Sequence, residues 1–326
     1  MFSNSFSVSV VITSYNQKEY LIEAIESVLN QTLMPLEIII VDDCSSDGSQ
    51  EVIKVIAEKH PKLIKAYYHK RNLGIPKNRN FGLERVRGDY VSILDGDDMF
   101  LPFKIERETE VLEKNPEINI VYSNFYVINK NEKKRRLRYS DPLPSGNIFK
   151  DVFAIMFGQL RTALISYSTL KKVGFMDSNF PNFDGFELMI RLSSKYLFQY
   201  IPEPLLKKRV HQENFQKKIM SEISLTEFLG IFEKNKHLLN ELSPKEVLYI
   251  KRLYLANMSL LEARILMEKG RRNQALKKYI AYLRETPSGI KNYKYTLKFI
   301  LPRSLYNNLK EKRRFIIFKD GYMGRR

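Results

Sequence analysis

Four short apolar, β-rich runs stand between residues 8 and 94, and an amphipathic helical stretch separates each from the next. Val8–Thr13, Glu37–Val41, Lys65–His69 and Tyr90–Leu94 read as strands. Glu19–Asn30 reads as a helix with Leu21, Ala24, Ile25 and Val28 on one face. Asp47–His60 is a second helix stopped by Pro61, and Pro76–Val86 a third with proline in its first turn. Alternation at this spacing leaves few folds open. It predicts an α/β architecture, a mainly parallel mixed sheet with helices on both faces.

In such sheets ligands settle where loops leave the carboxyl ends of strands. The polar clusters fall there: Ser14-Tyr15-Asn16 after the first strand, Asp42-Asp43 after the second, Asp95 to Asp98 after the fourth. In the last of these, LDGDD, three carboxylates crowd into four residues. Their mutual repulsion makes burial costly without a cation. A hard divalent ion such as Mn2+ or Mg2+ relieves it with oxygen ligands and fills its remaining positions from phosphates and water. A lone pattern of this kind also occurs in ordinary acidic turns.

Further along, Phe100–Lys114 is predicted as a helix, Ile118–Tyr122 as a strand, and Phe125–Arg138 as a hairpin with a charged tip at Lys130–Arg136. Strands near Arg161–Ser166 and Leu205–Val210 flank a helix near Asp184–Lys195. Beyond about residue 214 strand signals fade. Leu238–Ile265 and Asn273–Arg284 read as a helical hairpin around Gly270, with Pro287-Ser288-Gly289 as a break. This places a domain boundary near 214–220, dividing the chain into 1–214 and a basic helical part, 215–326.

Charge follows the same division. The last third, from Phe215 to Arg326, holds 25 Lys and Arg against 10 Asp and Glu, so nearly all of the net +17 lies there. Such asymmetry points to a polyanionic partner: anionic lipid, nucleic acid or an acidic glycan. A solvated basic helical face is the plainer reading. Arg271–Asn273 and Lys310–Arg314, the latter beside Phe315, Ile316, Ile317 and Phe318, are the candidate contacts for an anionic membrane surface. No zinc, recognition-helix or RNP-type motif supports nucleic acid, and none is expected as a partner. The single cysteine, Cys44, and the absence of a basic-then-apolar leader fit a cytoplasmic protein, peripheral at most on a membrane.

Six segments occur in a telling order: TSYN (Thr13–Asn16), SVLNQT (Ser27–Thr32), IIIVDDCSSDGS (Ile38–Ser49), NLGIPKNRNFGL (Asn72–Leu83), GDYVSILDGDD (Gly88–Asp98) and RVHQEN (Arg209–Asn214). Together they resemble the family 2 glycosyltransferases, with the nucleotide-diphospho-sugar (GT-A) fold, over roughly residues 7–214. The resemblance implies a transferase that moves a sugar from a nucleoside-diphosphate donor to a glycan, glycoprotein or lipid-linked acceptor. It implies that Thr13, Tyr15 and Asn16 border the nucleotide, that Asp43 reads a uracil-like edge, and that Asp95 meets the ribose. Asp97 would ligate the metal, with His211 and Asp95 as further ligands. His211 would otherwise approach the diphosphate, and Arg79 the donor phosphates unless it orders Asp42. Asp98 is given no role beyond the turn.

The general base departs from the family pattern. Its usual position, an aspartate in an acidic pair before a helix, is here Gly185. Asp184 is the first candidate, since Gly185 permits a slight rotation of the helix start, and Glu187 the second. Asp184 as an N-cap with Glu187 completing a capping box is an equally open reading. The rival to an enzyme is a basic nucleic-acid- or membrane-binding protein with a degenerate transferase domain. Oligomeric state is not legible.

Overall fold

The computed structural model describes residues 6–130, 135–155, 160–211 and 222–286. The Pro287-Ser288-Gly289 break, the Lys310–Arg314 run with its apolar neighbours, Gln212–Asn214 and part of the hairpin tip lie outside the described residues.

Strand β1 (Val8–Ser14) is buried along its whole length. It lies between β2 (Glu37–Asp42) and β4 (Tyr90–Asp95), parallel to both. Strands covered on both faces need apolar residues at every position, which is why these runs do not alternate. β3 (Ile64–Tyr68) pairs β2 in parallel at the sheet edge and is only partly buried. Helix α1 (Lys18–Leu29) buries Tyr20, Leu21, Ala24, Ile25 and Val28; α2 (Ser49–Lys59) and α3 (Ile75–Leu83) follow β2 and β3.

The second half of the sheet is mixed. β5 (Met99–Phe100), β6 (Ile120–Asn129), β7 (Arg135–Leu137), β8 (Leu164–Ser166) and β9 (Phe198–Val210) complete the order β3-β2-β1-β4-β8-β6-β9-β5, with β7 on β6. Only β6–β9 among these later pairings is parallel; β4–β8, β6–β8, β6–β7 and β5–β9 are antiparallel. The expected parallel character therefore holds for β3-β2-β1-β4 and ends at β4. Met99 and Phe100 pair β9 instead of opening a helix, so α4 starts at Lys104 (Lys104–Lys114).

Successive residues of the central strands feed opposite cores. Val10, Ile12, Ile38 and Ile40 join Leu21, Ile25 and Ile105 on one face. Val11, Ile39 and Val41 face the other side, with α5 (Phe149–Ile155), α6 (Tyr167–Val173) and α7 (Asp184–Ser193). That second core continues into Phe228 and Ile231 of α8 (Glu222–Asn235) and Ile250, Leu253 and Tyr254 of α9 (Pro244–Glu268). The division near 214–220 is thus no break in the core. Composition changes there, but α8 and the start of α9 pack as part of the main body. α10 (Arg272–Glu285) closes a smaller core on α9 through Ala256, Ala263, Ala275, Tyr279 and Tyr282. α9 begins later than the periodicity suggests. Pro244 stands in its first turn, and Ser243 with Glu246 forms a capping box. No helix among the described residues is long and apolar enough to cross a membrane.

Candidate active site

The acidic turn sits where β4 ends beside Thr13 of β1. Gly96 N donates to Thr13 O at 2.9 Å, and Asp98 N to Asp95 O at 2.9 Å, closing a tight turn. A side chain at 96 would be crowded: a Cβ there would stand 2.7 Å from Gln17 Oε1 and 3.1 Å from Thr13 O. β9 holds the far side. Arg209 N donates to Asp98 Oδ1 at 2.9 Å, and Arg209 Nε to Asp97 O at 3.3 Å. Carboxylate oxygens of Asp95, Asp97 and Asp98 consequently come within 4.8 Å of one another.

Three carboxylates so close need positive charge, and the chain supplies it from distant segments. Arg79 of α3 donates through Nη2 to Asp95 Oδ1 at 2.6 Å and through Nη1 to Asp184 Oδ2 at 2.8 Å. Arg161, in the 3-10 turn Leu160–Thr162, donates through Nη1 to Asp98 Oδ2 at 2.7 Å and to Asp95 Oδ2 at 3.1 Å. That turn is backed by a fully buried ion pair, Lys104 with Glu108, whose ammonium also reaches Thr162 O at 3.3 Å. Burial alone would push the Asp95 carboxyl up, but Arg79 and Arg161 hold it well below the usual carboxylate range. Asp98 goes the other way. Burial, then the charge of Asp97, pushes it up to about 7 despite Arg161. Lys208 is drawn down to about 8 by burial and by Arg161. Burial works against the Arg79 charge, and Asp184 and Asp95 more than offset it.

Asp97 faces a different partner. His211 Nε2 lies 3.0 Å from Asp97 Oδ2, with the imidazole packed on Tyr20 at 4.7 Å between ring centroids. A hard divalent cation fits this donor set: a carboxylate and an imidazole face one another beside a turn whose three carboxylates come within 4.8 Å of one another. Asp97 and His211 would hold it. Asp95 belongs to the same carboxylate cluster, and its two oxygens also accept from Arg79 and Arg161.

Other expected residues fall as follows. Thr13 is buried at the end of β1 and Tyr15 is half exposed beyond it. Asn16, at φ 50°, accepts from Ser46 N at 2.9 Å, and its own N–H donates to Ser45 Oγ at 2.8 Å. It therefore shapes the loop after β2. Asp43 accepts from Leu73 N at 2.7 Å and Gly74 N at 2.9 Å, tying the loop before α3 to the rim. Asp42 is ordered by Ser45 and Gln50, not by Arg79.

The helix start is corrected as well. Asp184 is the first helical residue, Phe183 the N-cap, and no side-chain cap bond forms, so the capping-box reading fails. Glu187 is fully buried and held by Arg191 Nε and Nη2, by Lys234 at 2.8 Å and by Asn235. With both oxygens engaged away from solvent it has no route to an acceptor, and its candidacy as base lapses. Sequence reasoning missed Arg161, Lys208 and the fastening role of Arg209. The need for cations near three aspartates was legible, but not which of 54 basic residues meets it.

A half-parallel sheet with helices on both faces and an acidic turn at its rim, flanked by a strand-end histidine, defines a glycosyltransferase of the GT-A fold. The chain belongs to glycosyl transferase family 2, whose sequence profile matches residues 9–175, just over half of its length. It is 32% identical over 220 residues to an uncharacterized glycosyltransferase of Methanocaldococcus jannaschii, covering 65% of this chain and 74% of that protein. It spans only 31% and 35% of the length of two uncharacterized glycosyltransferases of Rickettsia bellii and Rickettsia felis. Among solved structures, a mannosyltransferase of Pyrobaculum calidifontis in complex with GDP-Man and Mn2+ superposes with a TM-score of 0.60 at 15% identity, over 96% of this chain and 85% of that one. S. aureus TarS 1-349 in complex with UDP-GlcNAc gives 0.55 at 14%, over 89% and 92%. At such identities the likeness is one of fold.

Proposed function

We propose that the chain transfers a hexose-type sugar, with inversion, from a nucleoside-diphosphate donor to an acceptor hydroxyl in surface-polysaccharide or glycoprotein-glycan synthesis. The observation that carries this is the Arg79 bridge, which sets Asp184 and the acidic turn on one guanidinium. Asp184 takes the acceptor proton as its oxygen forms the new bond to the anomeric carbon. The bond from that carbon to the diphosphate breaks, and the nucleoside diphosphate leaves. Positioned proton removal of this kind is typically worth 10²–10⁴-fold. Arg79 orients the Asp184 carboxylate through the bond from its Nη1 to Asp184 Oδ2. Thr13, Tyr15 and Asp43 border the nucleotide, and Asp95 the ribose. A manganese or magnesium ion at Asp97 and His211 would supply Lewis-acid stabilisation of charge on the departing diphosphate.

A uridine donor is favoured by the resemblance at Asp43, and a TarS complex with UDP-GlcNAc is compatible with it. The test is a panel of UDP-, GDP- and dTDP-sugars, each with manganese. A UDP-sugar is expected to raise the melting temperature most and to be hydrolysed slowly. Stabilisation by GDP-sugars alone would replace the donor, and stabilisation by none would remove the reading.

The acceptor is proposed to be met at an anionic membrane surface. One face of α9 exposes Lys245, Lys251 and Arg252 together with Leu248, Tyr249 and Leu255, a basic and apolar mixture suited to lipid headgroups. Co-sedimentation is expected with vesicles containing anionic lipid and to vanish with neutral ones. Equal recovery with both would discard this surface.

A further inference from the structure

The loop that delivers Asp184 runs from the end of α6 at Val173 to the start of α7, and α8 grips it at both ends. Lys234 pairs with Asp177 at 2.7 Å on the near side and with Glu187 at 2.8 Å just beyond Asp184. Between them Glu227 accepts twice from one residue: Asn182 N donates to its Oε2 at 2.9 Å, and Asn182 Nδ2 donates to its Oε1. Phe228 packs on Phe183 and Phe186, with ring centroids 5.9 Å and 6.1 Å away. Gly230 lets Phe180 approach so closely that a Cβ would stand 3.0 Å from its ring. From the opposite side Asn80, next to Arg79, exchanges two hydrogen bonds with the Met176 backbone. The loop is therefore fixed between α3, which carries Arg79, and α8, which lies beyond the segment matched by the family.

We propose that Glu227 is a positioning residue for the transfer step, setting where Asp184 stands by holding Asn182 two residues before it. This rests on Asp184 being the general base. Glu227 is buried, and both its oxygens are spent on one loop residue, more than fold stability asks of a helix already seated by Phe228 and Ile231. Orientation tolerances at a reacting centre are tight, and a misplacement of about 1 Å can cost roughly 10²-fold.

The experiment compares Glu227→Ala, Glu227→Gln and Asp184→Asn, using the nucleotide sugar that the unaltered protein hydrolyses fastest, with water as acceptor. UDP binding in manganese is measured alongside. Glu227→Ala is expected to lower kcat by about 10- to 100-fold, leaving KM and UDP affinity within about twofold. Glu227→Gln keeps the acceptor oxygen for Asn182 N and should recover most of the rate. If Glu227→Ala turns over normally while Asp184→Asn does not, the positioning role is wrong and the base assignment stands. Loss of UDP affinity in parallel with kcat, or failure of Gln to exceed Ala, would make Glu227 merely structural. Normal turnover by Asp184→Asn would overturn the base reading itself.

Discussion

Asp97→Ala should abolish turnover, by about 10³-fold or more, and erase manganese-dependent stabilisation by donor in the same step. The metal-free protein should meanwhile change little in stability, because relief of repulsion on Asp98 offsets the lost contact with His211. Asp97 contributes charge to a turn already crowded with it, and that charge is part of what pushes Asp98 up to about 7. Burial, the larger cause, remains, so removing that charge lowers Asp98 only part of the way. The sign follows from linkage: a carboxyl raised in the folded state binds extra protons on folding. Its penalty grows as pH rises from about 4, the unfolded value, through about 7. In Asp97→Ala that decline should be shallower. Melting curves at pH 5 and pH 7 without metal, beside hydrolysis and donor-shift assays with manganese, read all of this. A metal-free variant much less stable than the parent would mean that Asp97 is a structural cap, and retained manganese dependence would mean that the ion sits elsewhere.

The fold was legible where both faces of a strand are buried. β1, β2 and β4 lie in the parallel half, so their apolar runs are unbroken and their boundaries fall within a residue or two of expectation. Legibility fell where neighbours decide. β6 runs as one strand from Ile120 to Asn129, though its sequence suggested a strand followed by a separate hairpin, because it pairs with β9 on both sides of a register shift at Ser123–Phe125. β5 has two residues and exists only because β9 passes beside it. α5 and α6, seven residues each, are too short to show a period.

The site divides in the same way. Asp95, Asp97 and His211 lie in ordered segments that announce themselves, and the structure brings Asp97 and His211 face to face. Arg161 comes from a turn 63 residues beyond Asp98, with nothing local to mark it. Glu187 stood as the second candidate base because its segment resembles the acidic stretch that opens a helix in the family. It is held instead by Arg191 four residues on and by Lys234 and Asn235 of α8, and no local pattern links the α8 partners to it. Charged residues are thus readable as chemistry when their neighbours in sequence are their neighbours in space, and ambiguous otherwise.

Asp184→Asn should lower kcat by about 10²–10⁴-fold while donor affinity stays within about threefold. Asparagine keeps the shape of the carboxylate and one oxygen for Arg79 Nη1, so the bridge to Asp95 can persist without the ability to take a proton. Arg79 retains its bond to Asp95 Oδ1 in any case, and the acidic turn should keep its geometry. A rate loss with KM unchanged is the pattern of an interaction made only in the transition state. If Arg79 instead swings away and disorders Asp95, donor affinity falls with the rate, and Asp184 is then a structural anchor for the guanidinium. Asp184→Ala separates these outcomes further, because it deletes the anchor along with the base. Equal rates for Asn and Ala with intact UDP binding assign the loss to proton transfer. A much weaker UDP affinity in Ala than in Asn measures what the Arg79 bridge adds to the donor site.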